Sequence, residues 1–185
     1  MILSDLMILS DYDLDNIIRA KRLVIDPFEK DTIRENGVDL RLSNEMAVGN
    51  PKLTKETVFD PTNEEHVKNE YLLKRGKELV IPAHSMVLMS TKEYLSMPNN
   101  LMGFVEIRST WARHGLSMPP TIIDAGFKGT VTLEVINNAP HAILLKPDMR
   151  FAHVIFATTL NEVTNAYKGS YLEQRGIKFP KTIKE

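Results

Sequence analysis

The chain has 185 residues, with 23 Lys and Arg against 24 Asp and Glu and a formal net charge of -1. That balance excludes a protein that holds nucleic acid by bulk charge, which would present a strongly basic face, and a composition 43% hydrophobic and 25% charged excludes a disordered chain. There is no cysteine, which removes disulfides, thiolate catalysis and every cysteine-containing zinc site.

The chain opens MILSDLMILSDYDLD. It is too acidic for a secretory or transit leader, and no apolar run in the sequence approaches the roughly 18 residues of a membrane span. A cytoplasmic protein with no membrane partner is the expectation. MILSD occurs twice, at Met1–Asp5 and Met7–Asp11, a repeat too short to be structural and compatible with a second start at Met7. Ser10 is an N-cap candidate with Asp13 as an imperfect capping box. The spacing of Leu14, Ile17, Ile18 and Leu23 predicts a short helix over Asp11–Arg22, acidic early and basic late.

Beyond it the period becomes that of strands. Leu23–Ile25, Val38–Leu42, Leu79–Ile81, Met86–Met89, Phe104–Ile107, Val131–Ile136, Ala142–Leu145 and Phe151–Phe156 are short β-rich runs separated by Pro, Gly or Asn. Many short strands with few helices predict a mainly β protein, an antiparallel sandwich or barrel. Residues 50–78 are polar and read as an excursion from that core. One domain is expected over 1–177, followed by a mobile, charged tail at 178–185.

Three segments carry chemistry. In RSTWAR, Arg108, Ser109, Thr110 and Arg113 place two guanidinium groups and two hydroxyls within six residues. If Ser109 starts a helical turn, its hydroxyl and free N–H groups face one way, and arginine supplies paired donors to phosphate. The bland alternative is a capped surface helix with a solvated arginine. Asp124 follows Ile122 and Ile123 at a turn made by Gly126 and Gly129, as a turn former or as an anchor for a sugar or base. In TVTLEVINN the period puts Thr130, Thr132, Glu134 and Ile136 on one face and Val131, Leu133 and Val135 on the other. Glu134 is the one ionisable group in that strand, and it belongs either to an exposed face or to a pocket where it could shuttle protons. The five histidines, at 66, 84, 114, 141 and 153, form no HExxH pair, so a protein metal cage is not expected.

Taken together the segments resemble the dCTP deaminase family in its archaeal-type form, within the superfamily that also holds the trimeric dUTP diphosphatases. The resemblance covers nearly the whole chain. It includes MILSD at Met7–Asp11, IDPF at Ile25–Phe28, GVDLRL at Gly37–Leu42 and LMGFVEIRSTWARHGL at Leu101–Leu116. It continues with IDAGFKGTVTLEVINN at Ile123–Asn138, LLKPDMRF at Leu144–Phe151 and YKGSYLEQRG at Tyr167–Gly176.

The resemblance implies a distorted antiparallel β-barrel, or jelly roll, of the dUTPase-like type, assembled as a homotrimer with sites between subunits. It implies hydrolytic deamination of dCTP to dUTP and ammonia, which supplies dUTP for dUMP and dTTP synthesis. Glu134 matches the glutamate that activates water for attack at C4, and Ser109 the hydroxyl that orients that water. Arg108, Ser109, Thr110 and Arg113 match the segment that holds the triphosphate and positions the base, and Asp124 the residue that holds the deoxyribose. Thr132 and Leu133 match backbone contacts to the base, and Tyr167 and Gln174 the C-terminal segment that closes over the nucleotide. Mg²⁺ is implied as a companion of the triphosphate, with no zinc, and dTTP as a candidate inhibitor. The same superfamily also implies two alternatives: a bifunctional enzyme that carries dCTP to dUMP, and a dUTP diphosphatase alone. A non-catalytic nucleotide-binding regulator is a further reading. The chain departs from the family pattern at Pro119-Pro120, Ile122, His153 and Ser170, changes that bear on substrate preference more than on fold.

Overall fold

A computed structural model describes residues 7–54 and 57–184; the first MILSD copy lies outside the described residues. Helix α1 (Asp11–Arg19) starts at a reciprocal cap: the Asp13 amide donates to Ser10 Oγ at 3.3 Å, and the Ser10 amide donates to Asp13 Oδ2 at 3.0 Å. It stops three residues earlier than its apolar spacing predicts. Lys21 takes a left-handed conformation (φ 56°), and the amides of Arg22 and Leu23 both turn back to the Ile17 carbonyl. Leu23 reaches the core, fully buried, from the turn and not from the helix.

Twelve strands follow: β1 (Val24–Asp26), β2 (Ile33–Arg34), β3 (Gly37–Gly49), β4 (Tyr71–Arg75), β5 (Leu79–Ile81), β6 (Ser85–Ser96), β7 (Leu101–Ile107), β8 (Leu116–Ser117), β9 (Thr121–Ile123), β10 (Lys128–Asn137), β11 (Ile143–Leu145) and β12 (Arg150–Thr158). All their pairings are antiparallel. The main sheet runs β8-β10-β6-β3-β12-β7-β9, and β5 pairs separately with β11. Strand β3 curls this sheet. Its first part pairs with β12 (Asp39 opposite His153) and its second with β6 (Val48 opposite Val87), with a register shift between Leu42 and Met46. A strand that changes partners partway bends the sheet around its own apolar face. The mainly β antiparallel expectation is therefore met by a curled sheet, a half-barrel with α1 packed near its start.

The core lies inside the curl. Leu40, Leu42, Met89, Leu133, Phe151 and Phe156 are all fully buried there, each contributing roughly 1.5–3 kcal/mol from lost apolar surface. Residues 50–78 are more than an excursion. They hold helix α2 (Glu64–Lys68), capped by Asn63, and then β4, which joins the main sheet along β3 from Glu45 opposite Arg75 to Gly49 opposite Tyr71. β4 carries little apolar alternation because it is an edge strand. Leu72 and Leu73 both stay exposed, while Tyr71 is buried. The segment expected as a tail runs back over this edge: the Phe179 ring stacks on Tyr71 at 6.0 Å, and the Ile183 amide donates to the Pro61 carbonyl at 3.0 Å. Among the described residues no helix is long and apolar enough to cross a membrane.

Candidate active site

β10 builds one wall of the site. Val131, Leu133 and Val135 are buried, whereas Thr132, Glu134 and Ile136 on the opposite face are half-buried. Thr130 departs from the expected alternation. The ladder to β6 shifts register between Thr130 and Thr132, and the Val131 amide donates to Thr91 Oγ1 at 2.9 Å instead of joining the ladder. One extra residue in a strand turns its neighbours to new faces, so Thr130 is buried and not in line with Thr132.

The C-terminal segment crosses this bulge. Gln174 donates through Nε2 to the Thr130 carbonyl, and its own carbonyl accepts from the Thr130 amide at 3.1 Å. The crossing is close enough to require Gly129: a Cβ there would lie 2.9 Å from Gln174 Cγ, at a backbone φ of 148°. Further on, the Lys178 amide donates to Thr132 Oγ1 at 3.2 Å. Between this crossing and β8, which pairs only at Ile136 and Asn137, residues 131–135 have, among the described residues, no strand beside them on the side away from β6.

Against this open edge lies a cavity of about 430 Å³, within the range of small-molecule sites. Glu134 lines it together with Asp124, Thr132, Tyr167 and Gln174. Asp124 stands directly after β9, in a turn closed by the Phe127 amide donating to the Asp124 carbonyl at 3.1 Å. Tyr167 is anchored by its amide to the Ala125 carbonyl at 3.0 Å and packs edge-on against Phe127 at 5.6 Å. Gln174 is buried, and its Oε1 has no hydrogen-bond partner among the described residues.

Leu133 does not enter the cavity. Its side chain is fully buried in the core, so only its backbone can serve the site. The RSTWAR residues are also absent from the cavity lining. They form helix α3 (Ser109–Arg113), in which Ser109 does start a helical turn, with Arg108 as its N-cap and no side-chain cap bond. This turn is mounted on β12: the Arg108 amide donates to the Phe151 carbonyl at 3.0 Å, Trp111 Nε1 donates to the Arg150 carbonyl at 2.8 Å, and the Trp111 and Phe151 rings stack at 5.8 Å. Ser109, Thr110 and Arg113 stand exposed on it.

Several lining residues were not foreseen. Leu88 stands opposite Glu134 in the β10–β6 ladder, and Tyr71 lines the cavity from a small buried cluster with Leu88 and, behind the wall, Ala47. Met86–Met89 is an unbroken apolar run, and a strand apolar on both faces was the signal for Leu88, which is itself buried. Nothing local pointed to Tyr71. Burial, together with the carboxylates of Glu70 and then Glu134, pushes its phenol up to about 12, so near neutral pH it remains a neutral donor beside Glu134.

The family model for dCTP deaminase-like proteins matches residues 8–159. The chain belongs to that family. A dCTP deaminase of Saccharolobus solfataricus is 46% identical over 175 residues, covering 95% of this chain and 92% of that one. A dCTP deaminase of Pyrobaculum arsenaticum is 43% identical over 178 residues, covering 96% and 98%. Among solved structures, the 2'-deoxycytidine 5'-triphosphate deaminase of Agrobacterium tumefaciens shares the fold, with a TM-score of 0.64 at 16% identity. The match covers 82% of this chain and 46% of that one, so this family member spans about half the length of that neighbour.

Proposed function

We propose that this chain hydrolyses dCTP to dUTP and ammonia, with Glu134 as general acid–base. One observation carries the reading: the lone carboxylate of β10 lines a nucleotide-sized cavity beside an open strand edge, in a chain whose relatives are named dCTP deaminases. The Watson–Crick edge of cytosine lies along the backbone of Thr132 and Leu133. Glu134 takes a proton from a water that attacks C4 and returns it to the departing amine, so one water is consumed and one ammonia released. Asp124 accepts from the deoxyribose hydroxyl, and Tyr167 and Gln174 close over the nucleotide.

Arg108, Ser109, Thr110 and Arg113 belong to the same site through a second copy of the chain. The charged side chains lining the cavity are Asp124, Glu134 and Lys178. Two carboxylates and one ammonium cannot by themselves hold a triphosphate, whose charge calls for several cations. Arg108 at the N-cap of α3 and the exposed Arg113 at its end supply them when a neighbour docks, as in a homotrimer with sites between subunits. Ser109 then orients the attacking water. Mg²⁺ belongs to this reading as a companion of the triphosphate, offsetting its charge. The chain has no cysteine for the His/Cys ligand set that zinc-dependent deaminases use, so this reading takes the ion as one brought by the substrate and the reaction as one without zinc. dTTP, with the same sugar and phosphates, is a candidate competing ligand, and the cytoplasm the expected compartment.

Asp124 gives a specific reason for a second reading: as a second carboxylate on the cavity wall it could activate a water at the phosphates and carry the product on to dUMP. Product analysis separates the two. With dCTP and Mg²⁺, equal yields of ammonia and dUTP are expected, lost in Glu134→Gln. Accumulation of dUMP with pyrophosphate would establish the bifunctional reading, pyrophosphate from dUTP without ammonia from dCTP a diphosphatase alone, and binding without turnover a regulator.

A further inference from the structure

We propose that Asp39, which has no place in the cavity, is a positioning residue for Arg108. The inference rests on the reading above that Arg108 binds the triphosphate. Asp39 sits on β3 and is 2% exposed. Its Oδ1 meets His153 Nδ1 at 3.0 Å. Its Oδ2 lies 3.3 Å from Arg108 Nε and 3.8 Å from Arg34 Nε, yet has no hydrogen-bond partner among the described residues. A buried carboxylate oxygen between two guanidinium groups, close to both and bonded to neither, is an acceptor still to be used.

The remaining guanidinium contacts define what this does to Arg108. Nη1 reaches the Arg150 carbonyl at 3.4 Å, the same carbonyl that holds the Trp111 indole. With Nε facing Asp39 and Nη1 facing Arg150, Nη2 is the nitrogen left without a protein partner among the described residues. Arg108 is also the N-cap of α3, so a fixed guanidinium has a fixed relation to the Ser109 and Thr110 hydroxyls that follow it. The Asp39 charge, held out of water, orients the side chain before substrate arrives, and phosphate on Nη2 draws Nε the last few tenths of an ångström onto Oδ2. Preorganised contacts of this kind lower the cost of binding.

The scaffold fixes Asp39 in turn. His153 stands opposite Asp39 in the β3–β12 ladder, and a Cβ at Gly37 would lie 2.7 Å from His153 Nε2 and 2.3 Å from the Val154 carbonyl oxygen. Glycine at 37 is what lets the imidazole lie against β3 and occupy Oδ1, leaving Oδ2 to the arginines.

The test is a double-mutant cycle on the full chain, with Mg²⁺ present. Asp39→Asn keeps the shape and removes the charge. It is expected to raise KM for dCTP roughly tenfold while kcat changes by less than about twofold, and to add almost nothing in an Arg108→Lys background, since coupled partners are not additive. Losses that multiply, or a fall in kcat with KM unchanged, would overturn the inference while leaving Arg108 in the site. If Arg108→Lys itself binds dCTP like the unmutated chain, both this inference and the assignment of Arg108 fail, whereas Glu134→Gln still tests the deamination. Should Asp39→Asn not fold, the structure of the Glu134→Gln chain with dCTP and Mg²⁺ decides: Arg108 Nε within hydrogen-bond distance of Asp39 Oδ2 supports the role, and a guanidinium turned away from Asp39 refutes it.

Discussion

Tyr71 and Phe179 stack with ring centroids 6.0 Å apart and planes 30° from parallel. One belongs to an edge strand, the other to the last residues of the chain, and together they back the cavity wall that holds Glu134. Leu88 and Ala47 lie beneath them, with Ile177 packed alongside. The C-terminal segment is thus tied to the site twice, once by Gln174 at the β10 bulge and once by Phe179 on Tyr71.

Removing the Phe179 ring should loosen this wall. Phe179→Ala is expected to lower stability by about 1–2 kcal/mol, less than a fully buried Phe→Ala because the ring is half-exposed, and to raise KM for dCTP. Urea denaturation and steady-state kinetics check the two effects separately.

Tyr71 should leave a mark on alkaline stability. Its phenol is pushed up to about 12 from a usual value of 10, so between these values the unfolded chain has lost a proton that the folded chain still binds. The stabilisation is complete below about pH 10 and disappears as pH rises through about 12. Unfolding midpoints measured across that window should fall, and Tyr71→Phe should remove part of the fall.

A site assembled from two copies predicts complementation. Glu134→Gln should lose ammonia release by roughly 100-fold or more, and Arg113→Ala should weaken dCTP binding by about 2–5 kcal/mol. Mixing the two inactive proteins under conditions that exchange subunits should restore activity, because some mixed sites pair an intact Glu134 with an intact Arg113. Mixtures as inactive as their parents would place both residues on the same copy.

Arg41 and Glu93 offer a test of stability away from the cavity. The Glu93 carboxylate, fully buried, accepts from the Arg41 amide at 2.8 Å and from Arg41 Nε at 2.7 Å, while Glu29 pairs with Nη1. Burial pulls the Arg41 pKa down, but the bonds to Glu29 and Glu93 outweigh it and hold the group charged. Glu93→Ala should cost about 3–5 kcal/mol by removing the buried partner of a buried guanidinium and leaving it only the half-exposed Glu29. Adding Arg41→Ala should recover part of that loss in denaturation experiments.

Local pattern was enough for much of the architecture. The Ser10–Asp13 cap, the antiparallel strands between Pro, Gly and Asn, the inward set Val131, Leu133 and Val135, and the turn after Asp124 follow from steric preference and side-chain period, which act over a few residues. The motifs from Met7 to Gly176 likewise carried the family on their own. β4 escaped because an edge strand buries too little to need a regular pattern. The place of Thr130 escaped because a bulge, set by Thr91 across the ladder, cancels the period within β10.

What the chain order alone determined is therefore the fold class, the family and which side chains are equipped for chemistry. Only the tertiary structure decided their company: that Tyr71 and Phe179 back Glu134, that Gln174 crosses the bulge at Gly129, that Asp39 faces Arg108, and that Arg108 and Arg113 lie outside the cavity of their own chain. Those relations join residues far apart in the chain. They depend on strand register and on where β3 changes partners, quantities that no short stretch of residues encodes.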